Sequence, residues 1–543
     1  QFIKNMIILF VIFCLQQTFK FLLLTNFSSA LLLSIVYNFF STTFSFFMRD
    51  LLLNIKKESL MNVAIYGAGD AGAQLAASLK STGKHNIKFF IDDNKELWGR
   101  TLYGFKIYSP NYLKNSKFDL NQILLAIPSL EGTRRREILL KLGAFDLPIL
   151  QIPSIDQITN RKAKIDTLLP IEITELLGRK ESEYDIKLIS KNYFNKVVCI
   201  TGAAGSIGSG LCEQLLKINL KTLICIDISE KGLYELDNNL SKLNKKNINI
   251  KLILGSATNS KLIENAFLQN KVQIVFHAAA YKHVPLVELN PIEGVYNNFS
   301  STVNICRAAI NSNIEKVVLI SSDKAVRPTN VMGASKRLSE LVMHTFHEKI
   351  KNTTNTNSIC FTMVRFGNVL GSSGSVLPLF KQQIKEGGPL TITHENIFRY
   401  FMTIPEATSL VLHSAVLAKG GDLFLLDMGK PVRIRDLAEK IIRLSGLTVK
   451  NKDNINGDIQ IINTGLRPGE KLYEELLIKH DSSEKTNHPL IFKAKEGINT
   501  SYILLEKELE NLEKLFLENK NKLALKKLKE IVPEWQTKLN LDS

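Results

Sequence analysis

Residues 196–208 read KVVCITGAAGSIG, and this stretch decides the fold. Lys196–Ile200 is short, apolar and β-branched, the pattern of a strand covered on both faces in a parallel sheet. The turn Thr201-Gly202-Ala-Ala-Gly205-Ser206-Ile207-Gly208 follows, and LCEQLLK continues with helical spacing. Strand, glycine turn, helix is the context in which backbone amides at a helix N-terminus can approach a phosphate. The next strand, Thr222–Ile226, ends in Asp227, about twenty residues past the turn, where a carboxylate can take adenosine ribose hydroxyls. A carboxylate there repels the extra phosphate of NADP and favours NAD; Lys231 nearby keeps NADP open. A third strand, Val272–Phe276, runs into His277-Ala278-Ala279-Ala280, whose small side chains leave room for a dinucleotide. Glycines used for packing alone would need neither the acidic strand end nor the small-residue one.

The same arrangement occurs once upstream. Met61–Tyr66 (MNVAIY) enters Gly67-Ala-Gly69-Asp-Ala-Gly72 and then the helical AQLAASLK. Strands Ile87–Ile91, ending in Asp92 and Asp93, and Gln122–Ile127 follow. Gly67, Gly69 and Gly72 could border a second nucleotide site, or could serve only helix–strand packing. The fold expected is therefore α/β, with two doubly wound Rossmann-like domains. The first, CoA-binding-like in outline, spans 60–155 and is joined by a polar linker, 156–195, to a dehydrogenase-type domain over 196–480 with a small α/β substrate lobe. Residues 500–543 form a helical tail, since Leu504–Trp535 is a Leu/Lys/Glu amphipathic pattern suited to packing.

The N-terminal segment differs from the rest. From Phe2 to Leu53 the charges are Lys4, Lys20, Arg49 and Asp50 alone. Met6–Leu24 and Ser29–Met48 are apolar runs, and a bilayer core needs ~20 apolar helical residues. Two spans over 1–53 are expected, with one span plus an interfacial helix as the alternative; a signal peptide fits poorly because no small-residue cleavage site follows a short core. Arg49, Lys56 and Lys57 after the second run place the remainder in the cytoplasm by the positive-inside rule. The expected location is thus the inner or cell membrane, multi-pass, and the absence of an initial Met suggests that spans precede Gln1. With 543 residues the chain is too long for one domain, and 45% hydrophobic against 22% charged residues excludes a disordered chain. A near-zero mean hydropathy of +0.02 is the sum of an apolar end and a polar remainder. The net charge of +17 permits nucleic acid, acidic membrane or anionic small molecules as partners. No nucleic-acid motif accompanies it. Six Cys without a CxxC pair exclude a disulfide scaffold or zinc ribbon.

Chemistry is expected beyond the strand Lys316–Ile320 (KVVLI), which opens onto Ser321-Ser322-Asp323-Lys324, because α/β sheets place their sites at strand C-terminal ends. Met332-Gly-Ala-Ser-Lys336 then heads a helix, with Met332 and Lys336 one turn apart on one side.

The runs TGAAGSIGS, HAAAYKHVP and SSDKAVRPTNVMGASKR resemble the extended short-chain dehydrogenase/reductase superfamily. VRFGNVLGSSGSVLPLF, TITHENIFRYFMTIPEA, LDMGKPVRIRDLA and GLRPGEKLYEELL narrow the resemblance to the membrane-bound polysaccharide-biosynthesis family of nucleoside-diphosphate-sugar 4,6-dehydratases. That resemblance implies NAD-dependent dehydration of UDP-N-acetylglucosamine to a 4-keto-6-deoxy sugar for surface glycans, by a membrane-bound homo-oligomer. It implies Asp323 as general acid and Lys324 as base at sugar C5, with Lys324 lowered in pKa by burial and by Lys336. Lys336 would orient the nicotinamide ribose. Met332 stands where the superfamily carries Tyr, as it does in this branch; a thioether is no general acid or base, so the C4 hydroxyl proton passes to Asp323, Ser322 or a water. Gly202, Gly205, Ser206, Ile207, Gly208, Asp227, Ala278 and Ala279 would hold the cofactor. Lys282, Asn368, Ser372 and Arg467 would hold the nucleotide-sugar, and no metal is implied. His283 has an equally good surface role, and Arg399 a structural one. Ser256 replaces the family's Asp at the adenine amine. Rival readings are a C5-inverting dehydratase or epimerase of the same fold and, from another class, a membrane-tethered nucleotide sensor without turnover. The sensor would need no acid/base pair in its pocket.

Overall fold

The computed structural model describes residues 60–153, 168–171, 186–353, 359–475, 483–495 and 501–537, apart from positions 84, 116–118, 129–131, 144 and 146. The two spans expected in residues 1–53 lie outside the described residues, among which no helix is long and apolar enough to cross a membrane. The first unit is built on β1 (Met61–Tyr66), β2 (His85–Ile91), β3 (Thr101–Leu102), β4 (Phe105–Tyr108), β5 (Gln122–Leu125), β6 (Ile149–Gln151) and β7 (Leu169–Pro170), ordered β3-β4-β2-β1-β5-β6-β7. β4, β2, β1, β5 and β6 are parallel neighbours, and antiparallel β3 and β7 close the edges. The two-residue period of β1 splits its side chains between faces. Val63 and Ile65 pack with Leu75, Ala76 and Leu79 of the helix Asp70–Thr82, while Ala64 and Tyr66 pack with Ile138, Leu139 and Leu142 of the helix Gly132–Leu142.

The second unit is a nine-stranded sheet. Its parallel part runs β10 (Asn249–Leu254), β9 (Thr222–Asp227), β8 (Val197–Thr201), β11 (Ile274–His277), β12 (Lys316–Ile320) and β13 (Cys360–Arg365). β14 (Asn368–Val369), β15 (Leu390–Ile392), β16 (Phe398–Arg399) and β17 (Phe401–Met402) leave for a small lobe, and β18 (Asp422–Leu426) returns beside β13. β19 (Val432–Arg433), β20 (Val449–Lys450) and β21 (Ile459–Asn463) complete the lobe; β22 (Ser483–Lys485) and β23 (Ile491–Ala494) run antiparallel at the sheet edge. All of β8 is buried, because helices cover both faces. The strand order reverses between β8 and β11, where such sheets open a crevice for ligands. The helix Ile186–Tyr193, in the segment expected as linker, belongs to this unit: buried Tyr193 donates its hydroxyl hydrogen to the Leu412 carbonyl at 3.0 Å.

Two further packings complete the molecule. The lobe helix Ile434–Leu444 lies against the first unit, where Ile171 N–H donates to the Leu444 carbonyl at 3.0 Å. Gly446, at φ +80°, has room for no side chain, since a Cβ there would stand 2.8 Å from Leu150 and 3.2 Å from Gln122. One apolar core runs from Tyr66, Ile123 and Ile149 to Phe380, Leu437 and Ile441. The tail is two helices, Tyr502–Leu517 and Asn521–Ile531, turned back on each other at Asn519 with φ +55°. Leu505, Leu509, Leu512, Phe516, Leu528 and Trp535 share one core with the helices Pro291–Asn311 and Val331–Thr353. Arg307 chelates Glu513 at 2.6 and 2.7 Å, and Arg337 bonds Glu534 at 2.9 Å.

Candidate active site

The turn after β8 is shaped for a diphosphate. Gly202 sits at φ +68°, and a Cβ there would stand 2.6 Å from Ala279 N and 2.7 Å from Ala278 C, so the small residues after β11 and this glycine require each other. A Cβ on Gly208 would collide with the Gly202 carbonyl oxygen. No side chain caps the helix Ser206–Leu216 at Gly205, which leaves its first amides for an anion. Asp227 accepts from Ala204 N–H and Ser229 N–H, both at 2.9 Å; a carboxylate offers about four lone-pair sites, so two remain for a ribose diol. This cradle fits a dinucleotide. Lys231 lies on the surface beside Glu235 at 3.7 Å. The Ser256 hydroxyl is engaged by Thr258, at 2.8 Å to its hydroxyl and 3.1 Å to its amide, and so holds its own loop.

The first unit repeats the cradle bond for bond. Asp92 accepts from Ala68 N–H and Asn94 N–H, both at 2.8 Å. Gly67 sits at φ +108° with a missing Cβ 2.8 Å from Ala126 O, and a Cβ on Gly72 would strike the Gly67 carbonyl. Gly69 differs, having nothing within 4 Å of its missing Cβ. Asp93 pairs with Arg134 at 3.0 Å.

Beyond β12 the chain forms a compact charged cluster. Ser322 caps the turn Asp323–Ala325, accepting from Lys324 N–H at 3.3 Å and donating to Asp323 Oδ1 at 2.9 Å. Lys324 Nζ donates to Asp323 Oδ1 at 2.9 Å and to Asn368 Oδ1 at 3.3 Å. Asp323 is 1% exposed, and its Oδ2 is buried without a hydrogen-bond partner. Gly333, heading the helix with Met332 and Lys336, has no space for a Cβ against the Lys324 carbonyl, so that helix presses directly on the turn. Met332 is buried in the apolar core. Lys336 Nζ donates to the Ile320 carbonyl at 2.6 Å, and burial lowers its pKa to about 8. The lowered pKa expected for Lys324 is corrected. Burial pushes its ammonium down, but Asp323 and Glu474 more than offset this and the pKa is raised.

Glu474 is the residue the sequence did not single out. It comes from the loop after the RPGEK turn, is nearly buried, and stands 3.9 Å from both Lys324 Nζ and Arg399 Nη2. Arg399 is buried and also meets Glu470 at 3.2 Å, which extends its structural role into this cluster. Also unmarked in sequence are Asn298, which bonds both the N–H and C=O of Tyr281 and the Ser335 hydroxyl, and Glu288, which accepts from Val331 N–H at 2.6 Å. His277 is a buried core group between the Thr201 and Thr302 hydroxyls, its pKa lowered to about 3 by burial and by Lys336.

The expected sugar residues come from a short strand and separate loops. Asn368 joins the Lys324 cluster. Ser372 lies in the loop whose Ser373 N–H donates to Ser206 Oγ at 3.1 Å, so this loop touches the cofactor turn. His283 is half-buried, its imidazole filling the space that a Cβ on Gly374 would need. Lys282 and Arg467 are exposed, and Arg467 is held through its N–H by Glu470 Oε2 at 3.1 Å.

The sequence model of a family described as "Polysaccharide biosynthesis protein" matches residues 198–496, and one described as "C2185-like, N-terminal" matches 59–139. The capsular polysaccharide biosynthesis protein CapD of Staphylococcus aureus is 39% identical over 457 residues, covering 82% of this chain and 74% of that protein. A UDP-glucose 4-epimerase of Rickettsia rickettsii is 33% identical over 353 residues, covering 64% of this chain and 94% of that protein. The X-ray structure of Pen from Bacillus thuringiensis is 34% identical with a TM-score of 0.49, covering 57% of this chain and 89% of that one. Most of the second unit falls within the first match, and the chain belongs to the polysaccharide biosynthesis protein family.

Proposed function

We propose that the chain catalyses NAD-dependent 4,6-dehydration of a UDP-sugar, with UDP-N-acetylglucosamine as substrate. The observation that carries this reading is the pair of buried Asp323 with half-buried Lys324, which leaves Asp323 Oδ2 unpartnered at the end of β12. NAD, which the Gly202–Gly208 turn and Asp227 would hold, would supply the hydride acceptor at C4 and the hydride donor at C6. The residues move protons. The C4 hydroxyl proton passes to Asp323, directly or relayed by Ser322 or a water, since Met332 cannot accept it. The resulting 4-ketone acidifies C5–H, and the Lys324 amine takes that proton. Asp323 Oδ2 protonates the departing C6 hydroxyl, releasing water, and the C5 proton returns as the hydride reaches C6. Asn368 orients the Lys324 amine, and Lys336 sets the cofactor ribose. Arg467 offers a planar donor to the diphosphate.

The test uses the protein with UDP-N-acetylglucosamine and NAD, read by mass spectrometry. Dehydration gives a nucleotide-sugar lighter by one water, whereas epimerisation, the activity named for the Rickettsia relative, leaves the mass unchanged. No product with NAD still bound favours the sensor. Asp323→Asn and Lys324→Ala should abolish turnover and leave NAD affinity intact; wild-type rate in either overturns the assignment. Product formed in deuterated water reports C5 configuration by NMR. The same reading tethers the enzyme, as a homo-oligomer, to the cytoplasmic face of the cell membrane through residues 1–53, its Lys-rich surface beside an anionic leaflet. Membrane fractionation with and without residues 1–53 checks the tether.

A further inference from the structure

We infer that Glu474 is a further acid/base residue of this pocket, taking a proton from the Lys324 ammonium so that the amine is free to act on C5. The inference rests on the dehydratase reading. Lys324 Nζ lies between two carboxylates, Asp323 Oδ1 at 2.9 Å and Glu474 Oε1 at 3.9 Å. Each carboxylate keeps one buried oxygen with no hydrogen-bond partner, Asp323 Oδ2 and Glu474 Oε2. Buried polar atoms are satisfied in the great majority of cases, so two bare oxygens around one ammonium mark a place prepared for chemistry. A purely structural ion pair would be closed and bonded at both oxygens.

The charges facing Glu474 come from three elements: Asp323 and Lys324 on the turn after β12, Arg399 on β16, and Lys471 on its own loop. Glu470 shares Arg399 at 3.2 Å and so weakens that cation's hold. Burial first and the Asp323 charge next raise the Glu474 carboxyl above its ordinary value, against the three cations. Lys324 is the converse, an ammonium kept charged by its two acids, with no lone pair for a C5 proton. In the transfer, the Nζ–H bond breaks and an O–H bond forms on Glu474. The pair becomes a neutral amine and a neutral acid with no charge entering or leaving. The amine then takes the C5 proton, and Glu474 returns its proton after turnover.

The test compares wild type, Glu474→Gln and Glu474→Asp in the full chain. An internal proton acceptor makes wild-type kcat flat from about pH 6 to about pH 8. Glu474→Gln should lose about 10²-fold in kcat near pH 6 and regain much of it by about pH 9, with KM and NAD affinity little changed. Glu474→Asp should keep the flat profile at reduced rate. A Gln variant with the wild-type profile, or one lowered equally at all pH, overturns the inference. A second readout needs no turnover: acetylation of Lys324 by acetic anhydride against pH, followed by peptide mass spectrometry. Wild type should label at a nearly constant rate from about pH 6 to about pH 8, and the Gln variant only as pH rises further; identical profiles overturn the inference. If wild type dehydrates no sugar, the dehydratase reading fails, while the labelling still decides whether Glu474 governs the Lys324 proton.

Discussion

Glu340 shows how much at the residue scale depends on partners that meet only in the fold. Its Oε1 accepts from Ser321 Oγ at 2.6 Å and Arg365 Nε at 2.7 Å, and its Oε2 from Arg365 Nη2 at 2.7 Å and Arg337 Nη1 at 3.0 Å. Burial alone would raise this carboxyl, but Arg365, Arg337 and Ser321 lower it to about 2. A folded pKa below the ordinary 4.5 adds stability that is present above that value and lost as pH falls towards 2. Urea melts between those limits should therefore show falling stability, less so in Glu340→Gln. That variant removes the carboxylate charge that pairs with buried Arg365 and should cost about 3–5 kcal/mol at neutral pH. A loss under about 1 kcal/mol would show that the pair does not hold the Ser321 end of the turn after β12. Ser322, Asp323, Lys324, Met332 and Lys336 can be grouped from the sequence because all follow one strand end within sixteen residues. Glu340, Arg365 and Glu474 come from separate elements, and no spacing announces their meeting. For the same reason the pKa expected for Lys324 failed: Lys336 was visible as a neighbour, Glu474 was not, and the Lys336 amine is turned to the Ile320 carbonyl.

At the scale of elements, both glycine turns were readable from spacing and context, and the structure adds which glycine does what. Gly208→Ala should abolish NAD binding and lower the melting temperature, since the new methyl meets the Gly202 carbonyl. Gly72→Ala should destabilise the first unit by the same collision, whatever that unit binds. Gly69→Ala, in open space at a helix N-cap, should cost no more than about 1 kcal/mol. Thermal melts of the three variants check this order, and a well-folded Gly208→Ala that binds NAD normally would contradict it. Strand positions were legible to within a residue or two, because buried parallel strands read as apolar runs. The reversal inside the tail was not. Its Leu/Lys/Glu pattern continues on both sides of Asn519, with no Gly or Pro to mark the break.

Across the whole molecule, two packings decide what can be removed. Fully burying a large apolar side chain stabilises by about 1.5–3 kcal/mol, and the tail contributes six to the second unit's core. Their sum is comparable with a domain's whole stability of roughly 5–15 kcal/mol. Deleting residues 501–537 should therefore leave a chain that neither folds nor binds NAD, whereas Arg307→Ala, which breaks only a half-exposed pair, should lower stability by about 1 kcal/mol or less. Normal NAD binding by the deletion would contradict this. The division into units was legible from the repeated glycine turns, but the packing between them was not, since apolar residues at a unit's surface look in sequence like any other core. Gly446, bare because Leu150 and Gln122 leave it no room, makes that packing a constraint on exchange. The two α/β units are not interchangeable modules. Exchanging the first unit with that of a relative should succeed only when helix Ile434–Leu444 and the turn after it travel along, so the portable piece of this protein is a surface together with its counterpart.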